Sequence, residues 1–259
     1  MIIENDQQLA AYQEAGKIST EILDQLRQAV KAGATGLELD QLADKLCAKH
    51  QVRPNFKGVG APANPYQHAT CVSVNDTVVH GIPDDRPFEP GDVVKVDFGI
   101  EYQGLNTDHC FTVGVGKLKP SDHNLVSTAK KAIEKAASQA VAGNRTGDLG
   151  FIIQSTANRA GLTVAKEFVG HGIGSSLHDE PQIPGLGQPN TGQVLKKGMV
   201  LCVEAQILAG KDEVYIESDG WTVKTMDGKN AAMFEYMVVV GQKKPIYLTP
   251  TQDWGIISR

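Results

Sequence analysis

Between Asp6 and Ala32 the apolar positions fall at Leu9, Tyr12, Ala15, Ile18, Ile22, Leu26 and Val30, with polar residues between them. A spacing of three or four residues puts one apolar stripe on one face and predicts an amphipathic helix. A second helix is expected from Thr35 toward His50, because Thr35 and Glu38 stand at capping-box spacing. The helical period then stops. "PNFKGVGAPANPYQ" is rich in glycine and proline and predicts a loop. "TCVSVN" and "VVKVDFGIEY" alternate as strands do, "YQG" reads as a turn, and "TDHCFTVGV" reads as the returning strand.

The rest of the chain repeats this order. "SDHNLVSTAKKAIEKAASQAV" predicts a helix capped by Ser121 after Pro120, and "GDLGFIIQSTANRAG" predicts another, stopped by Gly161. A glycine-rich segment, "EFVGHGIGSSLHDEP", and a long loop lead to "GMVLCVEAQI", an irregular acidic stretch and "FEYMVVVGQ". Two helices followed by strands, written twice, predict an α+β architecture with internal duplication. The halves are expected at about 1–119 and 120–259, within a single catalytic domain.

The strands correspond in detail. "GDVVKVDFGI" from Gly91 and "GMVLCVEAQI" from Gly198 align Val93 with Val200, Val96 with Val203, Asp97 with Glu204 and Ile100 with Ile207. Further on, Asp108 aligns with Glu235, Val113 with Val240 and Gly114 with Gly241. Each half therefore supplies two strands with one acid apiece. A carboxylate in the middle of an apolar strand is costly unless it is paired or holds a cation. Asp97 and Asp108 flank a turn near Tyr102–Gly104, and their numbers sum to an odd value. In a hairpin with a two-residue loop they share one face, directly opposite or one diagonal step apart. Two carboxylates that close repel unless positive charge lies between them. If the halves pack about a pseudo-two-fold axis, Glu204 and Glu235 arrive from the other side. Four such oxygen donors suit divalent metals, and two ions better than one. His171 in "VGHGIG", His178 in "SLHDEP" and His80 in "VVHGIP" are the candidate nitrogen donors, although a structural role is the default for any one histidine.

Composition narrows the partners. The chain has 259 residues, 41% hydrophobic and 21% charged, which is enough for a large core. A net charge of −5 gives no basic footprint, so no nucleic-acid binding is expected. The four cysteines form no CxxC pair and read as reduced thiols of a cytoplasmic protein. With no apolar signal segment at the start and no apolar run of membrane-spanning length, neither secretion nor membrane insertion is expected. Neither a phosphate-binding glycine loop nor a GxSxG elbow occurs.

At this point the residues resemble a known family, the type I methionine aminopeptidases. "NDTVVHGIP", "GDVVKVDFGI", "TDHCFTV", "GHGIGSSLHDEP", "DGWTVKT" and "FEYMVVV" carry the resemblance, in the family's order. It implies the duplicated pita-bread fold around a curved antiparallel sheet. It also implies removal of the N-terminal methionine from nascent polypeptides, met at the ribosome, by a monomeric cytoplasmic enzyme. Asp97, Asp108, His171, Glu204 and Glu235 would hold two divalent ions (Co, Mn, Fe or Zn), with Asp108 and Glu235 bridging. His80 and His178 would be catalytic without binding metal, and Glu204 would also carry a proton. Tyr66, Cys71 and Trp221, with Phe56 a weaker candidate, would line the methionine pocket. His109, Tyr236, Leu177, the Ala205-Gln206 pair and the long loop before Cys71 depart from the family pattern. The alternatives are a sibling hydrolase that cleaves before proline and a non-catalytic binding module on the same fold. Such proline-cleaving siblings carry an extra N-terminal domain, for which this chain has no expected room.

Overall fold

The computed structural model describes residues 1–258. Helix α1 spans Asp6–Ala29 and buries Tyr12, Ala15, Ile18, Ile22 and Leu26 on one face, while the Asn5 side chain accepts from the Gln8 amide at its start. Helix α2 spans Gly36–His50, opened by the Thr35–Glu38 capping box and closed by Gln51 in the left-handed region. Helix α3 spans Pro120–Ser138 and helix α4 spans Thr146–Arg159. The expected Ser121 cap is corrected: Lys119 holds the N-cap position without a side-chain bond, and Pro120 opens the helix. A first-turn proline has no N–H to leave unsatisfied, so the helix starts there and Ser121 falls inside the turn.

The first four-stranded sheet runs in the order Ile257–Ser258, His109–Val115, Val93–Phe98 and Thr70–Val74. The second contains Asp179–Pro184, Val169–Gly172, Val200–Leu208, Ala231–Val239 and Ile246–Tyr247 in that order, with Thr163–Val164 at one side. The "GHGIG" segment, read above only as glycine-rich, is therefore partly strand. A smaller sheet joins Val214–Ile216, Val223–Thr225 and Thr77–Val79. Among the described residues no helix is long and apolar enough to cross a membrane.

Both faces of the main strands are covered, which is why they read as almost unbroken apolar runs. Val94, Val96 and Phe98 pack in the large core that also takes in the helices, as do Leu201, Val203, Ala205, Phe234, Tyr236 and Val238. Alternation turns Lys95, Asp97, Cys202, Glu204, Gln206, Met233 and Glu235 to the opposite face. The two sheets meet on that face. Thr112 Oγ1 accepts from the Met233 amide at 2.9 Å and also contacts the Met233 carbonyl. The Lys95 ammonium, fully buried, donates to the carbonyls of Asn75 and Ala231 at 3.0 and 2.9 Å.

The Asp97–Asp108 hairpin is less direct than a single two-residue loop. Gly99 ends the Val93–Phe98 strand, and Ile100–Tyr102 pairs with Leu105–Asn106 around Gln103 and Gly104, both at positive φ. Asp97 faces Cys110 and Phe98 faces His109, so Asp108 lies one diagonal step from Asp97 on the same face. In the second half Glu204 and Glu235 are direct partners.

Candidate active site

All the expected site residues line one cavity of about 220 Å³. Asp97, Asp108, His171, Glu204 and Glu235 form its floor where the two sheets meet, with His178 and His80 on the walls. Three sets of donor atoms converge to within 4.8 Å of one another: Asp97, Asp108 and Glu235; Asp108, His171 and His178; and His171, Cys202 and Glu235.

Sheet pairing places His171 beside Cys202, two residues from Glu204 on the same face. The flanking glycines make this approach feasible. A Cβ on Gly170 would stand 2.5 Å from the Cys202 carbonyl oxygen, and one on Gly172 would stand 2.1 Å from that of Glu180. His171 Nδ1 lies 2.9 Å from the Gly172 carbonyl oxygen. That contact requires a proton on Nδ1 and leaves Nε2 as a bare lone pair. Nε2 in turn lies 3.7 Å from Glu204 Oε1 and 3.8 Å from Asp108 Oδ2. A lone pair facing two acid oxygens is repulsive unless a cation or a proton lies among them.

The electrostatics point the same way. Burial pushes Asp97 up to about 7 and Glu204 up to about 8, the latter helped by the charge of Asp97. Burial, then the charges of Asp97 and Glu204, raises Asp108 well above the carboxylate range, and Glu235 is raised by burial and then by Asp108. Burial pushes His171 and His80 down to about 4, so both are neutral at neutral pH. Asp97 Oδ1, Asp108 Oδ1 and Glu235 Oε1 are buried with no hydrogen-bond partner. Four acids that resist ionisation, with orphaned oxygens around an imidazole lone pair, fit divalent cations of the hard or borderline kind.

The histidines flank this floor. His178 is an exposed rim residue whose ring stacks edge-on against His171 at 4.5 Å. His80 ends the Thr77–Val79 strand with φ 57°, a sparsely used conformation that sets its ring edge-on to Phe168 at 5.7 Å and Trp221 at 6.2 Å. Beside them Phe56, Tyr66 and Cys71 form a separate apolar cluster, with Ile82, Leu177 and Trp221 packed against it. Tyr66 lends this pocket only its ring, since its hydroxyl contacts the carbonyls of Thr70 and Gly81 at 3.0 and 3.1 Å. The long loop closes on the pocket. Trp221 Nε1 donates to the Asn64 carbonyl at 3.2 Å, Asn64 Nδ2 donates to the Asp219 carbonyl at 2.9 Å, and Gly60 lies under the indole.

Not every departure from the family pattern reaches the cavity. His109 packs against α1, with Nε2 2.9 Å from Ser19 Oγ, and Tyr236 stacks on Tyr247 in the main core. Leu177 and Gln206 do line the cavity, as do Val79, Glu167, Phe168, Val169 and Met233. Two-residue spacing from Glu204 and Glu235 singles out Gln206 and Met233 in the sequence; nothing comparable marks Phe168 or Glu167.

The sequence matches the metallopeptidase family M24 over residues 10–242. The chain belongs to this family. Among M24 proteins it is 36% identical to methionine aminopeptidase 1 of Bacillus subtilis, over 93% of this chain and 95% of that one. It superposes on the methionine aminopeptidase of Thermotoga maritima with a TM-score of 0.91 at 38% identity, covering 96% of this chain and 99% of the other. An Xaa-Pro dipeptidase of Bacillus anthracis shares the fold, with a TM-score of 0.74 at 18% identity, and this chain spans 64% of its length. The M24 member described here therefore has the pita-bread fold.

Proposed function

We propose that this M24 chain is a metal-dependent aminopeptidase that removes methionine from the N-termini of nascent polypeptides, acting as a monomer of one catalytic domain. The observation that carries this reading is an acidic floor with an imidazole lone pair aimed at it, beside a closed apolar pocket. The names of relatives matched over nearly the whole chain support the same reading.

Asp97, Asp108, His171, Glu204 and Glu235 would hold two divalent ions, with Asp108 and Glu235 shared between them. Such ions supply Lewis acidity and a water whose pKa is brought toward neutrality. The protein's own groups do the rest. The carboxylates favour a free α-amine at the floor, which restricts cleavage to the first residue. Phe56, Tyr66, Cys71, Leu177 and Trp221 receive a soft, unbranched side chain, for which methionine is suited. His178, at the rim, donates to the scissile carbonyl oxygen as negative charge develops there. Glu204 takes a proton and passes it to the departing amide nitrogen. His80, neutral, orients the amide of the second residue.

Metal-free protein reconstituted with Mn(II), Co(II), Fe(II) or Zn(II) is to be assayed on Met-Ala-Ser and Ala-Pro peptides. Release of methionine from the first alone is expected. Preferential cleavage of the second would assign the chain to the proline-cleaving siblings. Bound metal without either activity would make it a binding module.

A further inference from the structure

Gln206 is 1% exposed, lines the cavity, and follows Glu204 by two residues on the same face of the Val200–Leu208 strand. Its Nε2 donates to Glu204 Oε2 at 2.8 Å and touches Met233 Sδ, from its cross-strand partner, at 3.6 Å. Its Oε1 is buried and has no partner. Ionised, as a metal ligand would be, Glu204 can only accept, so it fixes which end of the amide faces it. Leaving the other end unsatisfied is unfavourable, and an apolar side chain of similar volume would avoid it. The amide is thus held by Glu204 alone among strong partners, and Glu204 in turn is divided. Oε2 is occupied by Gln206, while Oε1 lies toward His171.

We propose that Gln206 is a positioning residue that ties up one oxygen of Glu204, so that this glutamate offers a single oxygen to metal at a fixed angle. The proposal rests on the metal-dependent reading above. It concerns a hydrogen bond to a ligand, the kind of contact whose loss lowers metal affinity or activity by about 10–100-fold.

The test uses full-length Gln206→Met and Gln206→Leu, two apolar replacements that lack the donor, so that either one folding suffices. Calorimetry of the metal-free proteins with Mn(II) alone is expected to show about 10–100-fold weaker binding than wild type. The peptide KM is expected to stay within about twofold while kcat falls about 10–100-fold. The visible absorption of the Co(II)-loaded variants is expected to change in intensity as the Glu204 carboxylate loses its fixed orientation. Unchanged affinity and spectrum would overturn the inference, whether or not thermal stability drops, because the residue would then only fill space. Wild-type protein that bound none of Mn(II), Co(II), Fe(II) or Zn(II) would overturn the function proposed above and this inference with it.

Discussion

His171 is the residue on which the site turns. Its Nδ1 proton is committed to a backbone carbonyl, and its other nitrogen faces two acids. Asp108 and Glu235 complete the donor sets around it, so Asp108→Ala or Glu235→Ala is expected to abolish turnover and loosen metal binding; activity assays and equilibrium metal titration check both. His178→Ala is expected to keep the metal and lose most of kcat, as steady-state kinetics on a methionyl peptide will read. Removing one oxyanion donor of this kind costs about 10²–10³ in rate. Asp97, Glu204 and Glu235 were legible in the sequence because each interrupts an apolar run, and Asp108 because the internal repeat aligns it with Glu235. His80, His171 and His178 were legible as candidate donors, but their separate roles came only through the resemblance, since the sequence alone left the three equivalent. Gln206 and Met233 could have been found from their two-residue spacing from Glu204 and Glu235, whereas nothing in the sequence marks Phe168 or Glu167 as lining the cavity.

At the scale of elements, alternation along strands decides what each substitution can reach. His109 and Tyr236 follow ligand candidates in sequence but lie on the other face, against helix and core. Glycine at 170 lets the His171 strand approach the Glu204 strand. Gly170→Ala is expected to push the two apart, weakening metal binding and kcat together, with calorimetry and kinetics as the readouts. Helix caps behave independently of the site. Thr35→Ala breaks the α2 capping box and is expected to cost about 1 kcal/mol in denaturant unfolding while leaving kcat unchanged. The helices and main strands were legible from period and caps. Ser121 misled because a hydroxyl after proline resembles a cap, and the strands of the "GHGIG" segment were hidden because glycines erase the alternation that marks a strand.

For the whole molecule, burying four acids at the meeting of two sheets makes stability depend on pH and on metal. In the metal-free protein the folded state holds protons on Asp97 up to about 7 and on Glu204 up to about 8, whereas an unfolded chain has already released them at about pH 4. Stability from these groups is therefore present at low pH and lost as pH rises. Below about 6.5 the buried histidines, depressed to about 4 at His80 and His171, act in the opposite sense and offset part of this. Lys95, pushed down to about 7 by burial, offsets part above that. Between about pH 6.5 and 8 Asp97 and Glu204, joined by Asp108 and Glu235, which burial also raises, outnumber it, so the metal-free Tm is expected to fall. Bound cations reverse this, contributing about 2.7 kcal/mol when free ion is 100-fold above Kd. The gap in Tm between metal-loaded and chelated protein is expected to widen from pH 6.5 to 8 in calorimetric scans. One further consequence follows from the clasp between Trp221 and Asn64, with Gly60 beneath the ring. Two segments far apart in the chain are tied together there, and any side chain at position 60 would stand 2.5 Å from the indole and force the ring to move.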